Sequence, residues 1–465
     1  MAAPRVVVVG AGPAGVRAAE TLVAAALRPT VVDEERRDGG QIYRRQPEGF
    51  SRSYAALYGT EAKRAAALHA AFGGLRTKID YRPNTLAWNV ADKRLYLLEG
   101  AQSTALSFDA LVIASGATDR LMAIKGWHHA GVYSLGGAQI ALKAQACAIG
   151  RRVIFLGTGP LLYLVAAQFQ MAGAAVAAVL DTSPFLGRVQ ALPKLTARPG
   201  ALWKGIALMA HLRASGVPLE TGITPLEIAG DPERGVEAVS YRNRKGEIRT
   251  IACDAVALGF HLRPETQLAD LAHCAFHFDA ATRQWLPVID HDGRSSVPGV
   301  YLAGDGARLL GADGAEAAGQ LAALAALADA GMPVKQVEIT ALRLALARMD
   351  RFRRGIAEAF PWPAQLAAEL PDDAVVCRCE TLTVGEVRHT VTHLGAPEIN
   401  RAKALSRVGM GRCQGRYCGH AAAEVVAAAA GLALERVGRL RGQAPVKPLP
   451  IDVEDATAPH ASAAQ

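Results

Sequence analysis

Val6-Val7-Val8-Val9-Gly10-Ala11-Gly12-Pro13-Ala14-Gly15 decides how the rest of the chain is read. Consecutive β-branched residues suit a strand covered on both faces, as inside a parallel sheet. Glycines at 10, 12 and 15 follow the G-x-G-x-x-G spacing, and Val16 to Ala26 continues as a helix-like run. In such a unit the first glycine permits a tight turn and the second admits a pyrophosphate to the backbone. The third lets helix and strand approach, and the phosphates lie at the positive end of the helix. A second strand, Thr30 to Val32, ends in Asp33 and Glu34, about twenty residues further on, where a carboxylate can meet the hydroxyls of an unphosphorylated ribose. The spacing predicts a dinucleotide site built from Gly10, Gly12, Pro13, Ala14 and Gly15 with Asp33 or Glu34.

Two more apolar runs end in glycine turns: Leu111-Val112-Ile113-Ala114-Ser115-Gly116 and Val300-Tyr301-Leu302-Ala303-Gly304-Asp305. Between them lies a complete second unit, Val153 to Gly157, a helix-like run to Ala172, and a strand Val176 to Leu180 closed by Asp181. The pattern predicts an α/β chain of two dinucleotide-binding domains, one inserted into the other, with a small helical C-terminal module. The expected boundaries are 1–125 and 257–352 for the first domain and 126–256 for the insert. Pro361, Pro363 and Pro371 mark a linker at 353–373, followed by a cysteine module at 374–435. The Pro- and Ala-rich tail, 436–465, is expected to lack a core of its own.

The remaining turns separate FAD from NAD. Gly39-Gly40-Gln41 resembles the flavoprotein turn that passes beneath the cofactor, and Phe108 to Ala117, with Ala114, Ser115 and Gly116, resembles the second flavoprotein signature. Val297 to Asp305 resembles the third, in which the aspartate (here Asp305, after Gly304) hydrogen-bonds the ribityl chain. The following helix, around Ala315 to Leu324, is expected to direct its N-terminus at the flavin. The inserted unit departs from the fingerprint: Leu162 stands where Gly157-Thr158-Gly159-Pro160-Leu161 calls for a third glycine. A retained scaffold, or a site for another adenine nucleotide, is expected there ahead of NAD(H), although Asp181 is spaced to meet a ribose.

Composition narrows the class. At 465 residues, two or three domains are expected, and 51% hydrophobic with 20% charged residues suits a globular enzyme. The net charge of +8 is scattered along the chain, which favours a solvated basic surface over nucleic-acid binding. No apolar run is long enough to span a bilayer, and the first strand begins too early for a cleaved signal, so a cytoplasmic protein is expected. Seven cysteines argue against a disulfide framework. No redox cysteine pair follows Gly40 or lies in the insert, which excludes disulfide reduction, and no catalytic residue stands out.

Four cysteines converge in one stretch: Cys377-Arg378-Cys379, then Cys413-Gln414-Gly415-Arg416-Tyr417-Cys418. Four thiolates suit a [2Fe–2S] cluster or structural zinc. The C-x-C and C-x4-C pairs favour the cluster, since zinc sites normally use C-x-x-C knuckles. Arg378, Arg401, Lys403, Arg407, Arg412 and Arg416, with amides of Gly409, Gly411, Gly415 and Gly419, are expected to stabilise an anionic cluster.

Together with Gly39-Gly40-Gln41-Ile42-Tyr43-Arg44, Gly136-Gly137-Ala138-Gln139 and Ala303-Gly304-Asp305-Gly306, these segments resemble a known family over nearly the whole chain. It is the α (A) subunit family of bacterial opine oxidases and dehydrogenases, hydrogen cyanide synthase, and multi-subunit proline and hydroxyproline dehydrogenases. Its C-terminal module is of the bacterioferritin-associated ferredoxin type. The resemblance implies FAD and a [2Fe–2S] cluster, with FMN at a subunit interface in some members and another adenine nucleotide in the first fold in others. It further implies a D-amino-acid-oxidase-like β subunit that oxidises a carbon–nitrogen bond, a small ferredoxin-like γ subunit in some complexes, and an external electron acceptor. Two other readings follow from the residues alone: a self-sufficient NADH:acceptor oxidoreductase, and a non-catalytic assembly subunit.

Overall fold

The computed structural model describes residues 3–231 and 233–455. Its two organising sheets are both parallel. The first runs in the order Val300–Leu302, Ala110–Ile113, Val6–Val9, Thr30–Val32, Asp80–Arg82, and the second Leu219–Thr221, Ala175–Asp181, Arg152–Thr158, Ala255–Phe260, Val132–Ser134. Val6–Val9, Ala110–Ile113 and Ala255–Phe260 are buried at every position, because helices or further strands cover both faces. Antiparallel strands Thr85–Ala91, Arg94–Glu99 and Gln102–Ser107 flank the first sheet, and Thr224–Asp231, Gly235–Arg242 and Ile248–Ala252 flank the second.

The chain leaves the first domain and returns to it through two short strands paired antiparallel, Ala117–Asp119 and Leu262–Pro264. The return therefore falls after Phe260, a few residues beyond the expected 257. The fully apolar run Ala255–Phe260 reads equally well as a strand of either sheet, and pairing with Arg152–Thr158 assigns it to the second. The expected domain end at 352 falls inside a helix, Gln336–Ala359, which takes in the start of the expected linker.

The cysteine module holds a short hairpin, Val375–Cys377 with Leu382–Thr383, and helices Val384–Thr392, Ile399–Ser406, Gly419–Ala430 and Leu434–Val437. Its first helix starts at a capping box: Thr383 Oγ accepts from the Glu386 amide, and the Glu386 carboxylate accepts from the Thr383 amide. The module shares one hydrophobic core with the second sheet, including Ile154, Leu258, Val376, Val408 and Val425.

Trp362 ties these parts together. Its ring lies 3.7 Å below the fully buried Arg120 guanidinium and edge-on to Phe260, and its Nε1 donates to Glu424 at 3.0 Å. Beyond the module the chain does not hang free. Val446 is 4% exposed in the core beside the first sheet, its amide donates to Trp88 O, and Glu454–Asp455 pair with Gln102–Ser103. The expected coreless tail is thus docked on the first domain over residues 443–455, since Val446 finds apolar cover there; residues 456–465 lie outside the described ones.

Trp362→Ala removes a buried aromatic and its stacking on Arg120, so a loss of about 3–5 kcal/mol is expected. Urea unfolding followed by near-ultraviolet circular dichroism checks it.

Candidate functional site

The first glycine loop admits no side chains where it turns. Gly10 has φ +107°, and a β-carbon there would stand 2.4 Å from Ala114 O; one on Gly15 would stand 1.7 Å from Gly10 O. Gly12 is the N-cap of the helix Pro13–Ala24, with proline in its first turn and no side chain bonding its amides. Those free amides are the usual seat of a phosphate. Gly40, at φ +60°, approaches so closely that a β-carbon on it would meet Gly12 Cα at 2.8 Å. The floor of the loop is therefore bare backbone.

Asp33 faces this loop: one carboxylate oxygen accepts from the Ala11 amide and the other from Glu35 N at 2.7 Å. Burial pushes its pKa up to about 6 against those two hydrogen bonds. Glu34 turns the other way, exposed and paired with Lys447 of the tail. Gln41 is also exposed and accepts from Arg44. Gly116, at φ +71°, faces open space, while Ser115 Oγ donates to Glu265 O at 2.6 Å. Gly304 lies against Ala14, and Asp305 accepts from the amides of Leu310 and Gly311 at 2.8 and 3.0 Å. The helix expected near Ala315 begins at Gly311, so Asp305 takes up amides at its start, and burial pushes Asp305 up to about 6. All these turns follow the carboxyl ends of one parallel sheet, where α/β folds bind dinucleotides. An uncapped helix start, a bare loop and one inward acid fit the diphosphate and ribose of FAD.

The inserted unit is built otherwise. Asp181, spaced to meet a ribose, has no exposed side-chain surface. It accepts from Tyr163 Oη at 2.8 Å, from Ser183 N and Oγ at 2.8 Å each, and from Arg188 at 2.5 Å. The Arg188 guanidinium lies 4.8 Å from the Phe360 ring centroid and 5.2 Å from that of Tyr163. At Gly159, His261 comes so near that a β-carbon would stand 3.1 Å from its Nδ1, and its Nε2 donates to Phe360 O. Burial pulls His261 down to about 4, so the ring is neutral at pH 7. Asp181 is thus engaged within the chain while His261 crowds the second glycine turn, an arrangement that disfavours NAD(H) there.

In the cysteine module, Cys377 and Cys418 are buried, Cys413 is half-buried and Cys379 is exposed. The four thiols are neighbours: Cys418 lies beside Cys377 and Cys413, and Cys379 beside Cys413. Hydrogen bonding by Cys418 pulls Cys377 down to about 6, helped by the amides of Gly409 and Glu380. It also pulls Cys413 down to about 5, helped by the amides of Tyr417 and Gly415. Cys418 is pushed up by the Cys377 and Cys413 thiols and Cys379 by burial, so two of the thiols are drawn toward the thiolate form and two are not. Four converging cysteines fit the ligands of an iron–sulfur cluster. Among the described residues, no three or more His, Cys, Asp or Glu side chains are gathered as around a single metal ion. Gly411 leaves room for Cys379, whose β-carbon would lie 2.3 Å from one placed on that glycine. Two of the neighbouring arginines have partners of their own: Arg378 lies over Trp127 and Arg407 pairs with Glu380. Arg416 alone of these three reaches a loop carbonyl, Cys413 O.

Residues 4–328 match the family model described as pyridine nucleotide-disulphide oxidoreductase, and residues 375–428 match the BFD-like [2Fe-2S] binding domain. The A subunit of opine oxidase from Agrobacterium tumefaciens (strain Ach5) is 37% identical over 98% of this chain and 92% of that protein. The chain belongs to the family of opine oxidase A subunits. This family membership makes it a flavin- and iron–sulfur-dependent oxidoreductase component. Another relative, the HcnB subunit of hydrogen cyanide synthase from Pseudomonas aeruginosa (strain ATCC 15692 / PAO1), is 31% identical over 96% of this chain and 97% of its own length. Among solved structures, L-proline dehydrogenase from P. horikoshii has the same fold, with TM-score 0.69 and 19% identity over 97% of this chain and 79% of that one. Among the described residues, no helix of this opine oxidase family member is long and apolar enough to cross a membrane.

Sequence reasoning passed over Tyr163, Arg188, His261 and Phe360, which close the insert, and Glu265, which touches both sites. No motif marks them, and only long-range contact reveals them. Two variants separate the two sites. Gly15→Ala is expected to abolish flavin absorbance near 450 nm, on the order of a complete loss, because its β-carbon strikes Gly10 O. Cys413→Ser is expected to remove the cluster's visible absorbance while leaving the flavin. Anaerobic spectra with iron and flavin quantification read both.

Proposed function

We propose that this chain is the electron-transferring α subunit of a heteromeric dehydrogenase acting on the carbon–nitrogen bond of an amino acid or opine. Proline, hydroxyproline, an octopine- or nopaline-like opine, and glycine are the candidate substrates. Substrate oxidation itself belongs, on this reading, to a D-amino-acid-oxidase-like β subunit, with a small ferredoxin-like γ subunit serving as a further partner and an external acceptor beyond. The observation that carries the proposal is the closed insert. With Asp181 committed to Arg188, Tyr163 and Ser183, its carboxylate is not free to meet a ribose, which favours electrons entering from a partner subunit over NADH. The self-sufficient NADH oxidoreductase is the weaker reading for the same reason.

Bound FAD would exchange electrons in pairs or singly, and a [2Fe–2S] cluster would carry them singly. The chain's own residues would hold these groups. The amides of Gly12, Ala14 and Gly15 would bind the diphosphate at the helix start, and Asp33 would orient the ribose. Asp305, fixed by Leu310 and Gly311, presents its remaining acceptor capacity to the ribityl hydroxyls. Cys377, Cys379, Cys413 and Cys418 supply four thiolates, and the amides of Gly409, Glu380, Gly415 and Tyr417 temper their charge. FMN at a subunit interface remains a family expectation to which no residue here is assigned. We place the complex in the cytoplasm, touching a membrane only through its acceptor.

The test is co-purification from the native host, followed by anaerobic mixing with proline, hydroxyproline, opines and glycine. One of these is expected to bleach flavin and cluster absorbance in the complex, whereas NADH leaves the isolated chain's flavin oxidised. Rapid bleaching of the isolated chain by NADH would replace this reading with the NADH oxidoreductase. A chain purified without flavin or iron would make it an assembly component.

A further inference from the structure

One carboxylate belongs to both sites. Glu265 follows the return strand Leu262–Pro264, and its backbone is tied to the second flavin turn. Its amide donates to Gly116 O at 2.9 Å, and its carbonyl accepts from Ser115 Oγ at 2.6 Å. That turn in turn abuts the Asp305 loop, where a β-carbon on Gly306 would stand 2.7 Å from Ser115 Oγ. The Glu265 side chain points the other way, into the cysteine module. Its Oε2 accepts from Arg416 Nε at 2.9 Å and from Arg263 Nη2 at 3.0 Å.

Arg416 lies between Cys413 and Cys418 in the C-x4-C loop. Its Nη1 donates to Cys413 O at 3.4 Å and to Val446 O of the docked tail at 2.7 Å. Side-chain exposure is 10% for Arg263, 14% for Glu265 and 11% for Arg416, so water screens the three charges poorly. Burial disfavours the Glu265 carboxylate, yet Arg263 and Arg416 hold its pKa below the ordinary range, and it is ionised at neutral pH.

Two cations and one anion leave a single net positive charge beside the cluster loop. A four-thiolate [2Fe–2S] cluster becomes more negative on reduction, so local positive charge favours the reduced form. Neutralising Glu265 would double that net charge and free Arg416 from its inward partner.

We propose that Glu265 is a positioning residue that seats the cysteine loop on the flavin turn through Arg416 and holds down the reduction potential of the cluster. The proposal rests on the reading that Cys377, Cys379, Cys413 and Cys418 bind that cluster. No spacing connects Glu265 to the cysteines, and its carboxylate reaches the loop through Arg416.

The test compares the full chain, purified anaerobically, as wild type, Glu265→Gln and Glu265→Asp. Iron and flavin are quantified, and the reduced cluster is titrated by electron paramagnetic resonance against mediator potential. Glu265→Gln is expected to keep its flavin, shift the cluster midpoint to a more positive value and alter the g-values. Glu265→Asp, which keeps the charge, is expected to return the midpoint toward wild type. Loss of the cluster with flavin retained in Glu265→Gln also supports the seat. An unchanged midpoint and signal in Glu265→Gln overturns the proposal, as does loss of flavin and cluster together in both variants. Wild-type protein that carries flavin but no iron overturns the cluster assignment and this inference with it.

Discussion

The stacking of Trp362 on the buried Arg120 is the constraint on which the arrangement of domains depends. Arg120 donates to Thr282 O and Arg283 O, and Arg283 pairs with Glu424, which also receives Trp362 Nε1. A guanidinium buried this deeply is tolerated only while its partners stay in place. Those partners come from the turn between the paired strands Phe276–Asp279 and Gln284–Pro287, the linker and the longest helix of the cysteine module, so the charge fixes all three to one another. Phe360, two residues before Trp362, is thereby held over Arg188 and Tyr163. The linker that attaches the module also closes the inserted unit.

That coupling gives the two nucleotide folds different fates. Both sheets are parallel and both first glycine turns survive, yet the two helix starts have different neighbours: bare glycine backbone faces the first. In the second, the helix Pro160–Met171 also lacks a side-chain cap, but His261 stands against Gly159 and Asp181 is satisfied internally. The domain keeps its packing role: Leu162, Val165 and Phe169 are fully buried with Phe155 in one core. Leu162 in the third glycine position is consistent with selection for that core rather than for a ligand.

What the sequence made legible was local. Val6 to Gly15 encodes strand, turn and helix within a few residues, and the cysteine pairs carry their own spacing, so fold class and family could be read directly. Acid partners were half legible: Asp33 and Glu34 are adjacent, and only the fold turns one toward the loop and the other toward Lys447. Contacts across the chain were not legible. Arg416 and Glu265 are 151 positions apart, and Phe360 and His261 are 99 apart, with nothing in their neighbours to announce a meeting. The tail builds no core of its own, as its composition suggests; what composition does not reveal is that Val446 borrows a core already built by others.

The docking of residues 443–455 changes the kind of object the cysteine module is. Anchored by the Trp362 linker at one end and by Val446 and Lys447 on the first domain at the other, it is a clasp closed over the molecule rather than an arm hinged to it. Ferrying charge by swinging is closed to such a module. On the electron-transfer reading proposed above, an acceptor would have to come to the module where it stands, where Cys379 and Tyr417 reach the surface.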